Sequence, residues 1–181
     1  MIRIFTAFPV INEIADSLHD LSEKNSAIKN IRWTPKENLH ITLFFIGEIE
    51  EKKLENVQKV LKNIFTEQNA FTLEFESLIL KGKNYPTMLW AGFRKNESFK
   101  LLSDKIYSVL KEFMTIPPVY LDPIPHCTLA RFKARTDFTN LNTAINLQQR
   151  SLKINYAELW KTIQTKNGVR YESLQKNLMN D

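Results

Sequence analysis

The sequence predicts an α+β fold built mainly on antiparallel strands, and three observations carry that prediction. Short apolar runs with strand alternation are interleaved with amphipathic stretches at helical spacing. No Gly- or Ser-rich linker interrupts the 181 residues, so residues 1–181 read as one compact domain. A helix followed by a strand bearing His-x-Thr occurs twice, in NLHITLFFIG at 38–47 and IPHCTLARF at 124–132. His40 and His126 stand 86 positions apart, a repetition that suggests two similar lobes facing each other across a cleft.

Taken in order, residues 2–8 alternate as a strand, and Pro9 suits the first turn of a helix carrying Ile11, Ile14, Leu18 and Leu21 on one stripe. His19 lies one step past Leu18, on the polar flank, where a solvated or boundary histidine is expected. Residues 31–34 form a short strand ending at Pro35; the first motif strand follows a turn at 36–38 and ends at Gly47. Over 50–65, Leu54, Val57, Val60, Leu61, Ile64 and Phe65 share one helical face.

Strands at 71–80 and 87–93 flank a tip carrying Lys81, Lys83 and Tyr85, either an ordinary exposed loop or a basic, aromatic finger within reach of a ligand. Residues 99–113 form another amphipathic helix, marked by Leu101, Leu102, Ile106, Val109, Leu110 and Phe113, and a Pro-punctuated segment at 116–125 feeds the second motif strand. Residues 137–146 stay open, a short helix being one reading. Two strands at 152–163 and 169–174 turn around 166–168, and the last residues read as a frayed tail.

Composition narrows the class of partner. A formal charge of +5 and a pI near 9.2 suit an anionic partner such as RNA, a nucleotide or a membrane surface, and equally a basic protein that binds none of them. The lone Cys127 excludes an internal disulfide framework, and no apolar run approaches the ~20 residues of a membrane span, so a cytoplasmic protein is expected.

The motifs carry the chemistry. Strand alternation puts His40 and Thr42 on one face against Ile41 and Leu43, and His126 with Thr128 against Cys127 and Leu129. An imidazole exchanges protons near neutral pH and a Thr hydroxyl donates to an anionic oxygen. One histidine as acid, the other as base, and two donors between them suit phosphate-ester chemistry. No third His, Cys or carboxylate repeats at ligand spacing around either motif, so no metal is expected. Cys127 points away from His126 and is expected to pack rather than attack, and only four Gly leave no phosphate-cradling loop.

At HITLFFIG and PHCTLARF the chain resembles the two-histidine phosphoesterases, and within them the RNA 2',3'-cyclic phosphodiesterases also called 2'-5' RNA ligases. The likeness extends to the opening IRIFTAFP, to YPTMLWAGF and to the closing hairpin. It implies a bilobal fold of two pseudo-symmetric lobes, mainly antiparallel sheet with helices outside, and a central groove lined by the two motif strands. It implies hydrolysis of a ribose 2',3'-cyclic phosphate to a 2'-phosphate without metal, on RNA ends or nucleotides carrying that group, with reversible 2'-5' RNA ligase activity as a further expectation; no cofactor and a monomer are expected. His40 looks like the acid that protonates the departing 3' oxygen, His126 like the base that activates water, and Thr42 and Thr128 like phosphate donors.

Arg131 matches the arginine of the family's PHxTLAR. Ideal alternation aims it away from the groove, which leaves substrate contact and a structural ion pair as alternatives. Position 44, where the family commonly has a basic residue, is Phe44; on the face of Thr42 it would be a stacking platform, otherwise core. The rival functions are a non-catalytic RNA or nucleotide binding module, and a phosphodiesterase for a small cyclic phosphate or a 2'-5' oligonucleotide.

Overall fold

The computed structural model describes residues 1–115, 122–133, 136–145, 150–166 and 168–181. Nine strands are described: β1 (Ile2–Pro9), β2 (Ile31–Trp33), β3 (His40–Ile49), β4 (Phe71–Lys81), β5 (Met88–Phe93), β6 (His126–Phe132), β7 (Ser151–Ile154), β8 (Tyr156–Thr165) and β9 (Gly168–Leu178). Three α-helices are described with them: α1 (Asn12–Lys24), α2 (Leu54–Thr66) and α3 (Glu97–Leu110). The strands join in one sheet in the order β7-β4-β5-β6-β3-β1-β8-β9, with β2 alongside β6, and the pairings described within it are antiparallel.

The path has two halves. β9, β8, β1 and β3 make one; β7, β4, β5 and β6 make the other, and each motif strand is the innermost strand of its half. The halves meet where Ile41 on β3 pairs with Cys127 on β6. Apolar positions at helical spacing bury one face of each helix, and Leu18, Leu21, Val57, Leu61, Leu102 and Ile106 share one core with Ile41, Leu43, Cys127 and Leu129. Asn96 caps α3 by accepting from the Phe99 amide at 2.9 Å, a contact typically worth about 1 kcal/mol. Phe5, Ala7 and Trp160 form a second, smaller cluster with Tyr171 packed against it. Among the described residues no helix is long and apolar enough to cross a membrane.

Several expectations are corrected. Pro9 closes β1 opposite His40 instead of opening the helix, which starts at Asn12 after Ile11, itself 42% exposed. Gly47 does not end the motif strand: with φ +83 it absorbs a register shift, conformationally easy for a residue without Cβ, and β3 runs on to Ile49. Leu101 and Val109 are exposed at the margin of the α3 stripe, and α3 stops at Leu110 with one 3-10 turn beyond it. The expected strand at 152–163 is two strands broken at Asn155, because β7 pairs with β4 in one half and β8 with β1 in the other.

The end of the chain is not frayed. β9 stays paired through Leu178, and the Asn180 amide donates to the Gln68 carbonyl at 2.9 Å. Of 137–146, residues 137–145 contain a turn and no helix, and residue 146 lies outside the described residues, as do 116–121 of the Pro-punctuated segment.

Candidate active site

Each motif strand alternates as its residue types require. Ile41 and Cys127 are fully buried in the core, so His40, Thr42, His126 and Thr128 stand together on the opposite face, each partly exposed. Continuing the antiparallel register from the Ile41–Cys127 pair sets His40 across from Thr128 and Thr42 across from His126. The four motif residues are thus grouped about an approximate two-fold axis.

Past each Thr the alternation breaks in the same way. On β3, Thr6 pairs with Phe44 but Ala7 with Thr42, so Leu43 is an extra residue; on β6, Leu89 pairs with Ala130 but Trp90 with Thr128, so Leu129 is extra. A bulge turns two consecutive residues toward one face and reverses the parity beyond. Leu43 and Phe44 both enter the core, as do Leu129 and Ala130. The carbonyls that the bulges free are satisfied locally, Leu43 O by Ser103 Oγ at 3.3 Å and Leu129 O by the Thr34 amide at 2.8 Å.

Two expectations change with that parity. Phe44 does not share the face of Thr42; it is core, 6% exposed, with its ring 5.9 Å from Tyr107. Phe45 takes the groove face in its place, 60% exposed and 5.6 Å from Phe5. Arg131, five residues after His126 as Phe45 is five after His40, is brought round to the same face as His126. Its Nη1 donates to the Met88 sulphur at 3.1 Å, and among the described residues it makes no ion pair.

Both imidazoles are held in the same tautomer. Nδ1 of His40 lies 2.7 Å from the Asn38 carbonyl and Nδ1 of His126 lies 2.8 Å from the Ile124 carbonyl, in each case two residues back. A carbonyl can only accept, so each Nδ1 carries the proton and donates, leaving each Nε2 with a free lone pair. No hydrogen bond from the Thr42 or Thr128 hydroxyl to protein is found among the described residues, so both are available to a ligand.

The surroundings of the two rings differ. His40 sits among Phe5, Trp160 and Tyr171, with ring centroids 5.3, 5.0 and 5.1 Å away. That apolar wall lowers its pKa to about 4: desolvation dominates, the Asn38 carbonyl opposes it, and the facing His126 adds a smaller lowering. His126 stacks on Trp90 at 3.6 Å, and Lys81 Nζ lies 4.9 Å above the same indole. Its pKa is lowered as well, first by burial and further by the Lys81 charge, against the Ile124 hydrogen bond. Without an anion both rings are neutral at pH 7.

Phe5, Phe45, Trp90, Trp160 and Tyr171 escape the sequence reading as site residues, although Trp90 falls within the quoted YPTMLWAGF. Lys81, expected at an exposed tip, closes β4 beside the site, while Tyr85 stays 58% exposed in the tip loop. Cys127 is fully buried and its thiol is pushed up to about 12 by desolvation, so it stays protonated. His19 is partly buried with Nδ1 lacking a partner among the described residues, a boundary position. No group of three His, Cys, Asp or Glu arranged to hold a metal occurs among the described residues.

Residues 9–90 match the family described as LigT like Phosphoesterase. The RNA 2',3'-cyclic phosphodiesterase of Methanocaldococcus jannaschii is 25% identical over 183 residues, covering 96% of this chain and 99% of that protein. The protein of the same name from Archaeoglobus fulgidus is 27% identical over 111 residues, 61% of this chain and 62% of that one. Among solved structures, TT0787 of Thermus thermophilus superposes with a TM-score of 0.84 at 21% identity, covering 98% of this chain and 97% of that one. LigT of E. coli in its apo form gives 0.79 at 20%, over 99% and 98%. Over residues 9–90 in sequence, and over nearly the whole chain in fold, this protein is similar to the LigT-like phosphoesterases.

Proposed function

We propose that this chain is an RNA 2',3'-cyclic phosphodiesterase that works without a metal ion, with His40 and His126 as its proton-transfer pair. The observation that carries the reading is the duplicated imidazole: two Nδ1–H groups tied to backbone carbonyls, two free Nε2 atoms on one face, and two unengaged Thr hydroxyls between them. Binding alone needs charge and stacking surface, not two rings locked in the tautomer that exchanges a proton. Relatives across most of the chain carry the same activity in their names, and E. coli LigT is known in complex with 3'-AMP.

In this reaction His126 Nε2 takes a proton from water as its oxygen attacks phosphorus, and the P–O3' bond breaks on the opposite side. His40 Nε2 delivers a proton to the departing 3' oxygen, leaving a 2'-phosphate and a 3'-hydroxyl. Thr42, Thr128 and Arg131 donate to the phosphoryl oxygens, where charge accumulates. The same step with a ribose 5'-hydroxyl in place of water, forming a bond to phosphorus while the P–O3' bond breaks, is 2'-5' ligation. His40 at about 4 is a poor acid carrier in the free protein; the anionic substrate, packed against the ring, raises its pKa and charges it.

Purified protein is incubated with cyclic-phosphate-ended RNAs, cyclic mononucleotides and 2'-5' linked dimers, with and without EDTA. Conversion of a cyclic end to a 2'-phosphate in EDTA supports the reading, and no turnover of any cyclic phosphate overturns it.

A further inference from the structure

Beside the four motif residues lies a cavity of about 440 Å³, of whose wall the reaction above engages only Arg131. Its wall includes Arg32, Trp33, Thr34, Asn38, Arg131 and Tyr171. It is continuous with both halves of the site. The Asn38 carbonyl holds His40, the Tyr171 ring is 5.1 Å from the His40 ring, and Thr34 Oγ1 donates to the Thr128 carbonyl at 2.8 Å.

Arg32 on β2 is directly paired with Arg131 on β6. Like charges opposite each other on adjacent strands destabilise a sheet. Neither guanidinium makes an ion pair among the described residues, so the pair stands uncompensated over the cavity. Along the ladder Arg131 is two steps of β5 beyond Thr128, at Met88 rather than Trp90, or about 7 Å at the usual rise per residue. That displacement leaves room for a second anion beside Arg32, beyond the phosphate that Arg131 and the Thr hydroxyls hold. Trp33 and Tyr171 give the same cavity aromatic faces on which a base can stack.

We propose that this cavity is the subsite for the neighbouring phosphodiester and base of an RNA strand, so that the preferred substrate is an oligonucleotide with a cyclic end and not a cyclic mononucleotide. The inference rests on the proposed phosphodiesterase reading but is tested by binding, which needs no turnover. Product-type ligands serve as probes: a diadenosine dinucleotide ending in a 2'-phosphate, and adenosine 2'-monophosphate, titrated calorimetrically at low and moderate salt. The dinucleotide should bind at least tenfold more tightly.

Arg32→Gln should cut the dinucleotide-to-mononucleotide affinity ratio about tenfold, with Arg32→Lys retaining part of it. The log–log salt slope for the dinucleotide should shrink by about 0.7, one phosphate contact on a single strand. Circular dichroism checks that the variants fold. Equal affinity of the wild type for both probes, or a ratio that Arg32→Gln leaves unaltered, overturns the subsite. Turnover of adenosine 2',3'-cyclic monophosphate, followed separately, tests the reaction itself, so the two failures are told apart.

Discussion

Replacing His40 with Gln removes a titrating ring while keeping a side chain able to donate to the Asn38 carbonyl. In the folded protein His40 is held at about 4, against 6.5 for the unperturbed group. The folded value is the lower one, so the unfolded chain binds the extra proton and stability rises with pH across that interval. The contribution is fully present above 6.5 and is lost as pH falls toward 4. At 1.36 kcal/mol per unit, the whole loss is about 3 kcal/mol, of which roughly 2 kcal/mol falls between pH 7 and pH 5. Urea unfolding of wild type and variant at pH 7, 6 and 5 measures it, the other titrating groups being common to both. Wild type should lose about 2 kcal/mol more than the variant over that range. Parallel losses, within about 0.5 kcal/mol, would refute the account of His40 as a ring kept neutral by its aromatic wall.

Other outcomes follow from the same geometry. His40→Ala and His126→Ala should each lower kcat by ~10²–10⁴ with the fold retained, measured on a cyclic-ended RNA with far-UV spectra as control. Thr42→Val and Thr128→Val should each cost less, about 10–100-fold, as expected for one donor to a charged oxygen. Phosphorus NMR of the product should show a 2'-phosphate, and a 3'-phosphate would reverse the placement of acid and base. Because burial lowers both imidazoles, the bell in kcat/KM should peak below 6.5, and the bell in kcat should lie higher, since bound anion recharges the acid. Lys81→Met removes a charge that lowers His126, so the acid limb of kcat/KM should move to higher pH; an unmoved limb would take Lys81 out of the site.

The elements that place His40, Thr42, His126 and Thr128 are legible because period-2 alternation is local: two residues along a strand share a face. The faces of Arg131 and Phe44 are misread for the complementary reason, although the core reading of Phe44 is the one the structure bears out. The bulges at Leu43 and Leu129 carry no mark in the sequence, being one apolar residue among several, and only the partner strands reveal the added residue. Asn155 likewise looks like a polar position within a long strand, while the register of β7 and β8 on opposite halves shows it to be a crossing point. The aromatic wall of His40 gathers Phe5, Trp160 and Tyr171 from three strands, a long-range pairing that no local pattern encodes.

A pocket with approximate two-fold symmetry has an orientational degeneracy: a cyclic phosphate can enter it with either ester oxygen toward either ring. Hundredfold fidelity between the two poses takes only about 2.7 kcal/mol of difference. The motif residues cannot supply it, since each half offers the same imidazole, tautomer and hydroxyl. The difference resides in what breaks the symmetry, Phe5, Trp160 and Tyr171 at one pole against Trp90 and Lys81 at the other, with Phe45 standing where the opposite half has Arg131. Under the proposed reaction, exchanging Phe45 and Arg131 would leave both His-x-Thr motifs intact and move the outcome toward a mixture of 2'- and 3'-phosphates.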